Sequence, residues 1–420
     1  MPKTAVSLRD FVSRMYEKNI EATILGIGPM SKVVMIAALE LGRDMDFPVL
    51  FIASRNQIDS HKFGGGYVMG WDQKQFADAI RQIADDVGFD GLLYLCRDHG
   101  GPWQRDKEKN SKLPPDEAME IAKQSYLEDI EAGFNLLHID PTKDPHCADG
   151  PVAMDMVIER TLELIEFTEG KVKELNLPPV SYEIGTEETA GGLISPEAFE
   201  KFIADLLAEL DKRNLSHPAF IVGQTGTLVK MDQNVGTFDA ESAKQLCEIA
   251  KKYNIGFKEH NADYLPLDIL KHHPELGITG ANVAPEYGLV ETRALISLAE
   301  KEAEAIANKK DLTPSGFKKV IQKAALDCKR WKKWLLKEDE GLTGEDIAGN
   351  REKLDDVTSV CGHYVFEVDE VKASRKRLYD NVKTLGIAES PERVLVDAVK
   401  DSIMSYVNAF NMKGISNKVL

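Results

Sequence analysis

The chain has 420 residues, is 43% apolar by residue type and carries a formal net charge of -17. That composition, with a mean hydropathy of -0.28, describes a globular protein with ample core. The charge argues against nucleic acid and anionic membranes, which need clustered Lys and Arg, but leaves room for a small anion at a local cationic site.

An amphipathic helix pattern, MPKTAVSLRDFVSRMYEKN, opens the chain and lacks the apolar segment of a signal peptide. ATILGIG (22–28) and PVLFIAS (48–54) then read as strands. The loop SRNQIDSHKFGGGYVMGWDQKQ (54–75) follows, with Gly64-Gly65-Gly66 read as a lid hinge in preference to a phosphate cradle. Helical periodicity at 74–88 leads to a strand at 91–100, and the alternation continues. It runs through helix 115–133, strand 134–142, helix 151–175, strand 180–188, helix 195–213, strand 219–227, helix 239–254 and strands at 255–264 and 277–288. Ser195-Pro196 with Glu197, and Asp239 with Glu241, mark helix starts. The strand runs begin almost continuously apolar, as strands buried on both faces do. From about residue 290 only helical patterns remain. The expected architecture is α/β: a (β/α)8 TIM barrel over residues 1–305 and a helical C-terminal extension over 306–420.

Polar residues gather at the C-terminal ends of the strand runs. They are Arg97-Asp98-His99, His138 with Asp140, Glu183 with Glu187 and Glu188, Gln224-Thr225, Lys258-Glu259-His260 with Asp263, and Asn282 with Glu286. In a barrel these ends converge on one face, and so many charges there call for a cation. Histidine with carboxylates and amides suits Zn2+ first, then Mn2+, Co2+ or Ni2+. His99 and His260 are the firmest ligands. Glu259 is set aside, because neighbours on a strand point opposite ways. His138 shares a face with Asp140 and reads equally as a structural partner or as a residue supporting the ligands from behind. His272-His273 reads as solvated surface, and Trp331-Lys332-Lys333-Trp334 as a packing face with solvated lysines. Five dispersed cysteines (Cys96, Cys147, Cys247, Cys328, Cys361), with no 18-residue apolar run, predict free thiols in a cytoplasmic protein.

The ordered set SRNQIDSHKFGGGYVMG, RDHGGPWQ, AGFNLLHIDPT, SYEIGTEE, EHNADY and RWKKWL spans most of the chain. It resembles the family named for the non-catalytic subunit of class II D-tagatose-1,6-bisphosphate aldolase, also called tagatose-6-phosphate kinase-like. That family is similar in turn to the metal-dependent class II aldolases, and some of its members are ketose C4-epimerases. By this resemblance Asp98 and Glu187 are the acid/base residues and His99 and His260 bind the metal, with Gln224 standing where another metal histidine belongs. Asn56, Gln57, Gly65, Asp140, Glu183 and Asn282 are the implied substrate contacts. The phosphate loops of the aldolases become HNADY and NVAPEYG here, where Asp263 and Glu286 would repel phosphate; a uronate carboxylate would pair with Lys230 or Arg293 instead.

The resulting expectation is an isomerase: a metal-dependent C4-epimerase interconverting tagatose and fructose, or their 6-phosphates, by retro-aldol and aldol steps. The alternatives are a non-catalytic stabilising subunit of a class II aldolase, a tagaturonate/fructuronate epimerase, and a true aldolase. The implied partners are a ketose or ketose phosphate, with a homo-oligomer or an aldolase partner subunit.

Overall fold

Apolar strand starts and polar strand ends sort the chain into a closed barrel in the computed structural model, which describes residues 6–147, 151–186, 195–307 and 312–420. Strands β1 (Ile24–Ile27), β2 (Val49–Ser54), β3 (Leu93–Gly100), β4 (Leu136–Ile139), β5 (Ser181–Ile184) and β6 (Phe220–Val222) come first. A hairpin of β7 (Val229–Lys230) and β8 (Gln233–Asn234) follows, then β9 (Gly256–Glu259) and β10 (Ile278–Val283). The parallel order β1-β10-β9-β6-β5-β4-β3-β2 closes the sheet on itself. Each anticipated strand run holds one barrel strand. The hairpin was not anticipated, since two-residue strands carry no periodic signal.

The helices of the barrel region are α1 (Leu8–Glu17), α2 (Lys32–Met45), α3 (Gln73–Val87), α4 (Asp106–Asn110), α5 (Pro115–Ala132), α6 (Met154–Glu174), α7 (Pro196–Arg213), α8 (Ala240–Lys252) and α9 (Leu267–Leu276). Then come α10 (Pro285–Ile306), α11 (Phe317–Asp327), α12 (Gly344–Gly349), α13 (Arg351–Cys361), α14 (Asp369–Thr384), α15 (Pro391–Ala409) and α16 (Ile415–Val419). The anticipated starts are real caps: Ser195 accepts from the Ala198 N–H and Asp239 from the Ser242 N–H. Helix α1 closes the N-terminal end of the barrel. It buries Leu8, Phe11, Val12 and Met15, and its Arg9 and Tyr16 donate to the carbonyls of Pro218 and Ile255 at strand starts.

The C-terminal helices reorganise the outer ring. Helix α15 packs against α2, α9 and α10, and its Val396, Val399, Ile403 and Val407 belong to the barrel's own core. The distal half of α10 instead buries Leu295, Leu298 and Ala299 with Phe317, Ile321, Val371 and Leu378 of the extension.

The long loop after β2 is pinned, contrary to the lid-hinge reading. Arg55 bonds Asp59 (3.0 Å), both Glu108 oxygens (2.9 and 2.7 Å) and the Gly101 carbonyl (3.0 Å). A Cβ on Gly66 would lie 1.8 Å from the Gln57 carbonyl oxygen, so the glycine is required by close backbone approach. Behind β3, the fully buried Arg97 pairs with Asp129 and donates to the Ala53 and Ile58 carbonyls (2.8 Å each).

Candidate metal centre

On a regular strand Asp98 and His99 would point to opposite faces. Strand β3 shifts register between Arg97 and Gly100, and His99 takes a positive φ of 42°. The irregularity turns His99 back to the mouth beside Asp98, a re-aiming typical of bulges near functional sites. His138 reaches the same point from β4, and His260 from just past β9. The three rings lie 4.8 to 5.1 Å apart, centre to centre, and each offers a nitrogen within 4.8 Å of the others'.

The hydrogen bonds fix which nitrogens are available. His260 Nε2 lies 2.5 Å from Glu183 Oε1, and His99 Nδ1 lies 2.8 Å from Asp140 Oδ2. Donating to these carboxylates leaves lone pairs on His260 Nδ1 and His99 Nε2, which face each other at 3.2 Å. Two imidazole nitrogens ligating one zinc ion tetrahedrally, each about 2.1 Å from it, sit about 3.4 Å apart. The pair therefore fits a divalent metal, with each ligand oriented by a buried carboxylate in the manner of known metal histidines. Without one, a proton must separate the lone pairs. Burial opposes charge on His99, but Asp98 and Asp140 outweigh it and lift the ring to about 9.

The surroundings hold this arrangement rigidly. Lys258 Nζ bonds Glu183 Oε2 at 2.6 Å, with both side chains almost fully buried. Burial opposes ionisation of Glu183, yet Lys258 and the histidines hold it well below the usual carboxylate range. Asp140 is held low too: burial again opposes, and His99 and His138 prevail. His138 accepts the His99 N–H at Nδ1 (3.0 Å), while its buried Nε2 has no hydrogen-bond partner among the described residues. Burial drives that ring down to about 3, so it stays neutral; with Nδ1 accepting, its proton sits on Nε2, and the ring ligates only where Nδ1 exchanges the His99 N–H for a metal.

Above the rings lies a cavity of about 330 Å³. Of the anticipated residues, Asn56, Gln57, Asp98, His99, His260 and Asn282 line it. Asn282 donates to Asp98 at 3.1 Å. The Asn56 amide is committed to Gln104 and Asp106 of the loop, and that of Gln57 to Ser54 and Met30. Asp140 and Glu183 sit beneath the rings. Gly65 accepts from Arg105 at 2.7 Å in the β2–α3 loop. Gln224 is buried past the end of β6; among the described residues, the third ring beside His99 and His260 is that of His138. Glu187 lies outside the described residues.

Three sequence readings are corrected here. His273 is buried rather than solvated: its Nε2 lies 2.5 Å from Glu259 Oε2, and it stacks on Phe238 and Phe410. Lys230 and Arg293 are engaged elsewhere, with the Lys333 carbonyl and Asp232. The cations lining the cavity are Lys143, Arg330 and Lys333. The last two come from the RWKKWL segment, whose distance in sequence from the barrel strands hides its approach to their ends.

The sequence model of the family described as "D-tagatose-1,6-bisphosphate aldolase subunit GatZ/KbaZ-like" matches residues 8–390. The D-tagatose-1,6-bisphosphate aldolase subunit GatZ of Escherichia coli (strain SMS-3-5 / SECEC) is 29% identical over 327 residues, covering 72% of this chain and 73% of that protein. The K12 protein of the same name is 26% identical over 325 residues, again covering 72% and 73%. Among solved structures, a probable tagatose 6 phosphate kinase from Sinorhizobium meliloti 1021 matches with a TM-score of 0.74 at 21% identity, over 92% of this chain and 100% of that one. The YdjI aldolase of Escherichia coli K12 shares the fold at a TM-score of 0.50 and 12% identity, over 96% and 97%. These findings overturn the expectation of an isomerase, because the matched family and its curated relatives are named as subunits of an aldolase and not as epimerases. The chain belongs to the D-tagatose-1,6-bisphosphate aldolase subunit GatZ/KbaZ-like family.

Proposed function

We propose that the chain is a subunit of a class II D-tagatose-1,6-bisphosphate aldolase assembly, supporting a partner barrel that carries out the cleavage. The observation that carries this reading is the family match across residues 8–390, which takes in most of the extension as well as the barrel. We take residues 1–305 as the barrel unit, sealed by α15 and α16, and the rest of 306–420 as the helical unit of this subunit. A cytoplasmic location fits the role and the five free cysteines.

The subunit also holds one divalent metal, zinc in first place, through His99 and His260. The opposed lone pairs support this. His138 joins the ligand set through Nδ1, exchanging the His99 N–H for the metal, in place of the Gln224 expected from sequence, and Asp140 and Glu183 orient the His99 and His260 rings. Bound there, the metal supplies Lewis acidity to an oxygen of a ligand in the cavity. Asp98 offsets its charge, and Asp98 and Asn282 face that ligand.

The test is reconstitution. The purified chain is mixed with a class II tagatose-bisphosphate aldolase subunit, and the mixture is followed by gel filtration and by triose release from tagatose 1,6-bisphosphate. Co-elution, a several-fold longer half-life of aldolase activity at 37 °C, and no triose from the chain alone are expected. Triose release by the chain alone, or neither co-elution nor protection, would overturn the subunit role.

A further inference from the structure

The cavity above the triad is more cationic than a chain of net charge -17 leads one to expect. Lys143, Arg330 and Lys333 line it against Asp98 and Asp263. Asp263 adds little negative charge at neutral pH, because burial and the neighbouring Glu286 push its carboxyl up to about 8.

Barrel enzymes commonly seat a phosphate after the last strands, against the N-terminus of a following helix. Here that slot is filled by the protein itself: Asp263 accepts the N–H groups of Ala284 (3.1 Å) and Glu286 (2.9 Å) at the start of α10. An anion in this cavity must find its counter-charge elsewhere, and Arg330 offers it. The Arg330 guanidinium carbon lies 5.0 Å from the Tyr67 ring centre and 4.7 Å from that of Tyr364, so two aromatic side chains hold it. Its Nη1 is buried without a hydrogen-bond partner among the described residues, and the Asp106 carboxylate stays 4.0 Å away. A buried guanidinium N–H left unmet is costly, and a ligand oxyanion is the natural acceptor for it. Lys333 stands three residues on, its ammonium 5.0 Å from the Trp334 ring and 5.5 Å from that of Tyr364. Lys143 comes from the loop after β4, bonded to Gln104 at 2.7 Å. The cavity, at about 330 Å³, falls in the range that encloses small organic ligands.

We propose that this cavity binds a small anionic ligand, a phosphate ester or a carboxylate, with its charged end clamped by Arg330, Lys333 and Lys143 and its hydroxyl-bearing end toward the histidines. The clamp joins the extension to the barrel mouth. It stands whether or not the chain serves as a subunit of an aldolase assembly.

Calorimetric titration of the full chain, zinc-loaded and chelator-treated, with tagatose 6-phosphate, tagaturonate and free tagatose tests this. At least one of the two anions binds at least about tenfold more tightly than the free sugar, as a charged hydrogen bond warrants. The phosphate ester leading identifies the ligand as a phosphate, and tagaturonate leading identifies it as a carboxylate. Arg330→Met and Lys333→Met each weaken the anion about tenfold or more and leave free tagatose unmoved. Arg330→Lys recovers part of the loss, and Arg293→Met, outside the cavity, has no effect. Should a variant fail to fold, competition on the wild-type chain decides: inorganic phosphate displaces the bound anion if the charged end is what is held. Equal binding of all three compounds, no binding of either anion, or anion binding unmoved by both Met variants overturns the proposal.

Discussion

Replacing Lys258 by Met tests the buried architecture beneath the triad. Lys258 Nζ lies 2.6 Å from Glu183 Oε2, with side chains 2% and 1% exposed. Coulomb's law at an effective dielectric constant of about 20 gives roughly 6 kcal/mol for unit charges at that separation. Part returns because the ammonium no longer has to be desolvated and the Met side chain packs against the Phe220 ring, which Lys258 already overlies at 5.4 Å. The net loss expected for a buried pair broken on one side is about 3–5 kcal/mol. Glu183 would then face His260 without its counter-ion, the orientation of His260 would loosen, and zinc affinity would fall about 10–100-fold. Urea unfolding at pH 7 reads the first effect, and titration against a zinc-chelating dye reads the second. The double variant Lys258→Met with Glu183→Gln removes the buried charge and should recover most of the stability without the metal affinity. A loss under about 1 kcal/mol for Lys258→Met, or a double variant no more stable than the single, would refute the reasoning.

Removing the two facing rings, His99→Ala with His260→Ala, should take metal content from one per chain to none by elemental analysis; retained metal would move the site elsewhere. Glu291 is buried and accepts from the Ser31 hydroxyl, and burial pushes its carboxyl up to about 7 from 4.5. The folded state therefore keeps a proton the unfolded chain gives up: the contribution is intact below about pH 4.5 and lost as pH rises through 7, a swing of about 3 kcal/mol. Glu291→Gln should flatten it, becoming more stable than wild type by about that amount at pH 8, and parallel urea-derived profiles would count against it. His363, Arg375, Lys32, Glu367 and Glu392 line the same cavity; His363, driven down to about 3 by burial, stays neutral across this window. Arg97→Met, breaking the buried pair with Asp129, should cost about 3–5 kcal/mol in chemical denaturation. A loss below 1 kcal/mol would mean that Asp129 finds another partner.

The barrel was legible because its strands are buried on both faces, so apolar runs with polar C-terminal ends stand out at each turn of the alternation. His99 and His260 were legible as strand-end histidines beside carboxylates. His138 was half visible, through its two-residue spacing to Asp140, yet nothing local says that its ring reaches the other two. The inward turn of His99 depends on a register shift that periodicity does not encode. His273 was misread because a helix-end histidine next to proline usually faces water; here α9 presents it to Glu259 across the barrel wall. Long-range placement was least legible of all. An amphipathic helix near residue 400 and one near residue 290 show the same pattern, and only packing decides that α15 enters the barrel's core while the distal half of α10 joins the extension.

That placement sets the order in which the molecule can be completed during synthesis. Helix α15 holds α2 through Arg393 and Lys400, both bonded to Glu40. The Phe410 carbonyl accepts from the Thr23 N–H at 3.0 Å, and the Gly414 N–H donates to the Met45 carbonyl at 2.9 Å. A nascent chain released as far as residue 390 carries all eight barrel strands but leaves the flank of α2 bare. At about 5–20 residues per second, the ribosome delivers the closing segment seconds after the last strand. The first strand–helix unit to emerge is thus among the last to be sealed, and the unfinished flank is where chaperones and stray chains would find apolar surface.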